Sequence, residues 1–122
     1  MSYVQYAHAR LASILRKAEE DGFGRSDGNL ALLTHKKERE LMRELLFFPE
    51  LIEKVSLDFS VHMLPQYAMR LADRLHSFYD ECRVLDAENI ALTDARLQLI
   101  RATKVVLGET FALMGISAPE KM

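Results

Sequence analysis

The sequence predicts an all-α domain, a helical bundle of four main helices plus one short helix. Three observations carry that expectation. Apolar residues recur at three- and four-residue steps from end to end. Only five glycines and three prolines punctuate 122 residues, too few for short strands joined by tight turns. Nothing suggests a sheet, an internal repeat or a low-complexity tract. The length fits one domain, residues 1–122.

Each element follows from local pattern. A first helix is predicted from Tyr3 to Glu20, with Tyr3, Ala7, Leu11, Ile14, Leu15 and Ala18 on one face and Asp21-Gly22-Phe23-Gly24 as its stop. Residues 25–33 read as a surface excursion. Thr34 is the expected cap of a second helix that turns Leu41, Met42, Leu45, Leu46 and Phe48 inward. His35, Lys36, Lys37, Glu38, Arg39, Glu40 and Arg43 of that helix read as a solvated face. Phe48-Pro49 is expected to break it, with Pro49 opening a short third helix from Glu50 to Leu57. A fourth helix starts near His62 to Pro65, with Ser60 as its candidate cap, and ends near Cys82. Its seam is Leu64, Ala68, Leu71, Leu75, Phe78 and Cys82. A fifth runs from Thr93 to Met114 along Leu92, Ala95, Leu99, Ala102, Val106, Thr110 and Leu113, broadened by Leu97, Ile100, Val105 and Phe111, and Gly115-Ile116 ends it.

Composition narrows function. Apolar residues at 49% and charged residues at 28% exclude disordered and collagen-like chains. A net charge of −2 argues against a protein that coats nucleic acid through its whole field, so any such contact needs a local patch. The one cysteine, Cys82, allows no internal disulfide, and no apolar run approaches a membrane span of about 20 residues. A soluble, cytoplasmic domain without membrane contact is expected.

Catalytic patterns are missing from the sequence. It holds no glycine-rich phosphate loop, no G-x-S-x-G turn and no C-x-x-C pair. Asp73, His76 and Asp80 form the one local cluster of metal-ligand types, read as charged neighbours of Arg70 and Arg74 rather than a metal site. Cys82 continues an apolar seam and reads as core. Binding is better supported. Tyr3, Tyr6 and Arg10 lie within two turns of one helix. Arg10, Arg16 and Lys17 bring the first 18 residues to +3 with no acid before Glu19. Rings interleaved with guanidinium groups suit unpaired RNA bases, while the same tyrosines would also serve as amphipathic packing residues.

The opening octapeptide, Tyr3-Val4-Gln5-Tyr6-Ala7-His8-Ala9-Arg10, closely resembles the segment that opens the C-terminal domain of arginyl-tRNA synthetases. Phe47-Phe48-Pro49-Glu50, Asp73-Arg74-Leu75-His76-Ser77-Phe78-Tyr79 with Arg83-Val84-Leu85, and the closing Leu113-Met114-Gly115-Ile116-Ser117-Ala118-Pro119-Glu120-Lys121-Met122 agree in order. The segments Ala95-Arg96-Leu97 and Ala102-Thr103-Lys104-Val105-Val106-Leu107 agree as well. The likeness covers essentially the whole chain. It implies the all-helical anticodon-binding fold of class I synthetases named for a D-A-L-R motif, whose place here reads Asp94-Ala95-Arg96-Leu97, a permuted version.

The H-I-G-H and K-M-S-K-S-like signatures of the adenylating domain are absent from the sequence. The resemblance therefore implies a separated C-terminal domain that holds no cofactor and does not itself charge tRNA. ATP and Mg2+ belong to the whole ligase, and the implied partners are the anticodon loop of arginine tRNA and the catalytic domain of the same polypeptide. Every arginine codon has guanine in the middle, so one pocket for cytosine could serve all arginine tRNAs. Carried over position by position, the resemblance implies Tyr6, Arg10, Tyr79 and Met122 as tRNA-binding residues. Arg70, Arg74 and Arg96 are candidate phosphate contacts, with surface salt bridging as the alternative for each. His8 is ambiguous between helix packing and a domain contact, and Gln5 between this domain and the catalytic one. Two other readings stand: the anticodon domain of a cysteinyl or glycyl enzyme, and a helical protein-interaction module.

Overall fold

The computed structural model describes residues 2–24 and 27–121. Met122 and the first two residues of the expected 25–33 excursion lie outside that range. Among the described residues there are four α-helices: α1 Ser2–Glu20, α2 Lys36–Asp58, α3 Met63–Glu81 and α4 Ile90–Met114. A single 3-10 turn, Leu30–Leu32, lies between α1 and α2, and no strand occurs among the described residues.

The apolar spacing that defines each helix also sets its partners. α2 pairs antiparallel with α3, where Lys37 meets Glu81, Glu40 meets Arg74 and Glu44 meets Arg70. α1 runs parallel to α3, with Tyr3 beside Asp73 and Arg10 beside Tyr79. α4 packs against all three other helices. Its buried surface is correspondingly broader than a single stripe. Leu97, Ile100, Thr103, Leu107 and Phe111 are buried together with Ala95 and Leu99. Ala102, Val105 and Leu113, expected inside, face solvent. The buried Thr103 and Thr110 hydroxyls donate back to the Leu99 and Val106 carbonyls at 2.8 Å, so neither is left unsatisfied.

The expected break at Pro49 does not occur, and the separate helix from Glu50 to Leu57 is the second half of α2. Proline inside a helix forfeits one backbone bond and crowds the preceding turn, at a cost of about 3 kcal/mol. Tertiary contacts offset it. Phe47 and Phe48 pack on the Tyr67 ring at 6.2 and 5.9 Å, and the Tyr67 hydroxyl donates to the Glu44 carbonyl at 2.5 Å. Leu41 and Leu51, buried on either side of the proline, hold both halves to the same core. Leu46, expected inside, is 77% exposed.

The caps also differ from expectation. His35, not Thr34, caps α2: its Nδ1 accepts from Lys37 N at 3.0 Å while Glu38 Oε1 accepts from His35 N at 2.9 Å. Ser60 gives its hydroxyl to Asp58 rather than to α3. Asn89 caps α4 three residues earlier than expected, accepting from Leu92 N at 3.2 Å.

Two glycines act as anticipated or more strictly. Gly115 at φ 73° closes α4, with Ile116 N donating to Phe111 O at 3.0 Å. Gly28 at φ 75° lies so close to α4 that a Cβ there would stand 2.8 Å from the Asp94 carbonyl oxygen. The loop before α2 is thus pressed onto the bundle at that point, and Leu33 is buried beside it.

Candidate nucleic-acid interface

The outward face of α1 forms the floor of an open groove of about 960 Å3. Tyr6, Arg10, Ser13 and Lys17 lie along that floor at three- and four-residue steps, one helical face. The end of α3 and the following loop, Tyr79 and Arg83-Val84-Leu85, form one wall. Glu120 and Lys121 of the C-terminal tail stand on the other. Of the charged lining residues, Arg10, Arg16, Lys17, Arg83 and Lys121 are basic and Glu120 alone is acidic. A chain of net −2 therefore concentrates positive charge in this groove.

Tyr6, Arg10 and Tyr79 converge there. The Arg10 guanidinium carbon stands 4.4 Å from the centre of the Tyr79 ring, and the Tyr6 ring is half exposed. Met122 lies outside the described residues, although the tail leading to it borders the groove. The three arginines read as candidate phosphate contacts are elsewhere. Arg70, nine residues before Tyr79, projects about 180° away on α3, and Arg74 about 140° away. Arg70 pairs with Glu44 at 3.2 Å and lies over the Phe47 and Tyr67 rings, while Arg74 pairs with Glu40 at 3.7 Å.

Arg96 is committed to the interior. Its Nε donates to Glu38 Oε2 at 2.7 Å and its NH1 to the Arg83 carbonyl at 2.7 Å. Glu38, read as part of a solvated face, is 1% exposed. It satisfies the start of α2 with one oxygen and Arg96 with the other. Arg96 in turn fixes the loop wall, whose Arg83 Nε reaches Leu85 O at 3.2 Å.

Beside the groove Tyr3 joins α1 to α3. Its hydroxyl donates to Asp73 Oδ1 at 2.9 Å and lies 2.6 Å from His76 Nδ1; with its single proton on Asp73, the oxygen accepts from the imidazole. Burial, reinforced by Asp73, pushes the Tyr3 phenol up to about 12. Burial, then the Arg10 charge, holds His76 below its usual 6.5. Between those two His76 values the unfolded chain binds more protons than the folded one. The resulting stability is complete above about pH 6.5 and is lost as pH falls through the folded value. In denaturant titrations, His76→Asn is expected to flatten this part of the pH profile, so that the gap between wild type and variant narrows on acidification.

His8 and Gln5 both turn to the tail rather than outward: His8 Nδ1 bonds Pro119 O at 2.7 Å and Gln5 Nε2 donates to Ser117 O at 3.2 Å. Cys82 is buried, and burial pushes its thiol up, in keeping with a core role. The described residues contain no cluster of three His, Cys, Asp or Glu able to hold a metal ion, and none of their helices is long and apolar enough to cross a membrane. Ser13, Arg83 and Lys121 were not singled out from the sequence as site residues. The signal for Ser13 was present, since it follows Tyr6 by seven, the repeat of one helical face; Arg83 lies past the end of α3, where no helical spacing applies.

The family described as "DALR anticodon binding domain" matches residues 4–122. The chain belongs to the DALR anticodon-binding domain family. Among curated relatives of this DALR domain, the arginine–tRNA ligase of Dehalococcoides mccartyi is 48% identical over 120 residues. That of Geobacillus kaustophilus is 47% identical over 123 residues. Each match covers 98% of this chain but 21% and 22% of the relative, so the chain spans about a fifth of their length. The arginyl-tRNA synthetase structure from Thermus thermophilus superposes with a TM-score of 0.85 at 34% identity, over 99% of this chain and 21% of that one. An arginyl-tRNA synthetase structure from Campylobacter jejuni gives 0.82 at 29% identity, over 98% and 26%. The fold of this DALR domain is therefore that of the matched part of these arginyl-tRNA synthetase structures.

Proposed function

We propose that this domain recognises the anticodon loop of arginine tRNA on behalf of a longer arginine–tRNA ligase. The observation that carries the reading is the convergence of Tyr6, Arg10 and Tyr79 in one basic groove. Unstacked loop bases find aromatic platforms there, each base contact worth about 1–3 kcal/mol. The excess of Arg and Lys attracts the phosphates between them. The middle cytosine is the base to be read, since it is common to all arginine anticodons. Backbone carbonyls and amides of the irregular walls offer complementary partners to its amino group and acceptors. ATP, Mg2+ and the ligation chemistry fall to the other four-fifths of such a ligase, which acts in the cytoplasm with the tRNA pool.

The test is a titration of arginine anticodon stem-loops by fluorescence anisotropy, with the middle cytosine retained or replaced. The cytosine hairpin is expected to bind more tightly, with affinity falling as salt rises by a log–log slope near −0.7 for each phosphate neutralised. Equal binding of both hairpins removes the reading. A stoichiometric protein partner with indifference to RNA would replace it with an interaction module.

A further inference from the structure

Past Gly115 the chain makes no further helix, yet α1 grips it at three nearby carbonyls. Gln5 donates to Ser117 O at 3.2 Å, His8 to Pro119 O at 2.7 Å and Arg16 to Glu120 O at 3.3 Å. Lys104 of α4 adds an ion pair to Glu120 at 3.1 Å, and its hydrogen bond holds the Glu120 carboxyl below its ordinary range.

His8 differs from the other donors. It is 4% exposed, with its ring 6.0 Å from that of Phe111. Gly108 faces it, where an added Cβ would stand 3.5 Å from Nε2. A carbonyl can only accept, so Nδ1 carries the hydrogen. The bond is the shortest of the three and the most shielded from competing water. Core packing alone asks only for a ring of this size; it does not call for a donor aimed at a chain segment with no backbone partners of its own among the described residues.

We propose that His8 is a positioning residue for RNA recognition, latching residues 117–121 as the second wall of the groove. The proposal rests on the reading of the groove as an anticodon site and names what holds one side of it in register. Without the latch, the tail keeps only longer and more exposed anchors. A bound base then has to order the wall it touches, and affinity falls.

Three chains separate the possibilities: wild type, His8→Leu, which fills the space without a donor, and His8→Asn, whose amide nitrogen sits where Nδ1 does. Each is titrated with the cytosine stem-loop, and backbone order parameters of residues 117–121 are measured by NMR. His8→Leu is expected to loosen the tail and weaken the hairpin by about 5–30-fold, the range that one or two hydrogen-bond energies span. Helix content should hold, and His8→Asn should restore both tail order and affinity. A His8→Leu chain with a rigid tail, or with a loose tail and wild-type affinity, overturns the proposal alone. A wild-type chain that binds no hairpin overturns the anticodon reading and the recognition role together. If His8→Leu fails to fold, Gln5→Ala at its half-exposed position decides: a smaller loss in the same two readouts supports the latch, and wild-type values in both overturn it.

Discussion

Glu38→Ala is expected to cost the domain about 3–5 kcal/mol, the range for breaking a buried ion pair by deleting one partner. The denaturant midpoint measures it. The carboxylate is 1% exposed, and Arg96 is 13% exposed at the side chain. Deleting Glu38 leaves a guanidinium without its counter-charge and removes the acceptor for His35 N at the start of α2. Arg96→Met should be comparably damaging, because it strands the carboxylate instead. Glu38→Gln keeps the cap acceptor, and a Glu38→Gln/Arg96→Met chain strands no charge, so it should lose clearly less than Glu38→Gln and Arg96→Met lose added together. Additive losses would mean that the pair is not coupled as the 2.7 Å contact indicates. Because Arg96 also holds the Arg83 carbonyl, the single variants should disturb the loop wall of the groove as well.

Tyr79→Ala is expected to weaken the cytosine hairpin by about 5–150-fold, the equivalent of losing one stacking platform of roughly 1–3 kcal/mol. The ring is half-buried at the end of α3, so part of its surface already packs against Arg10 and part lines the groove. Tyr79→Phe keeps the platform and should bind nearly as well. Arg10→Lys keeps the charge but not the planar group that covers the ring, and should fall between wild type and Arg10→Ala. Far-UV circular dichroism should be unchanged throughout, since neither side chain is among the fully buried residues. If Tyr79→Ala binds like wild type, the bases stack elsewhere; if it loses helicity, the ring belongs to the core.

Residue spacing made most of the helical architecture legible. In α3 the seam was readable: Leu64, Ala68, Leu71, Leu75, Phe78 and, just past its end, Cys82 are all inside, although Tyr67 and Ala72 are buried beside them. α4 was partly legible: Ala95, Leu97, Leu99, Ile100, Thr110 and Phe111 are inside as expected, but Thr103 and Leu107 are buried too, and Ala102, Val105 and Leu113 face solvent. Pro49 was misread for a tertiary reason. A proline's local cost is visible in sequence, but the Tyr67 ring and hydroxyl that offset it come from another helix, 18 residues on. The side of α1 that forms the groove floor was readable from Tyr6 and Arg10, four residues apart. Its convergence with Tyr79 was not readable from spacing, because the register between α1 and α3 is set by packing; only the family resemblance grouped the three.

By itself the sequence determined that the chain is helical, where three of its four helices end to within a residue, and which face of α1 carries rings and positive charge. Those properties follow from periodicity and from the backbone freedom of glycine, which act over a few residues. Only the tertiary structure decided which arginines are available to a ligand. Arg96 and Arg10 look alike in sequence, yet one is used up by a carboxylate 58 residues away and the other lies over a ring that lines the groove. Charge pairing across helices depends on how the helices dock, and docking is the sum of many side-chain contacts that no local pattern contains.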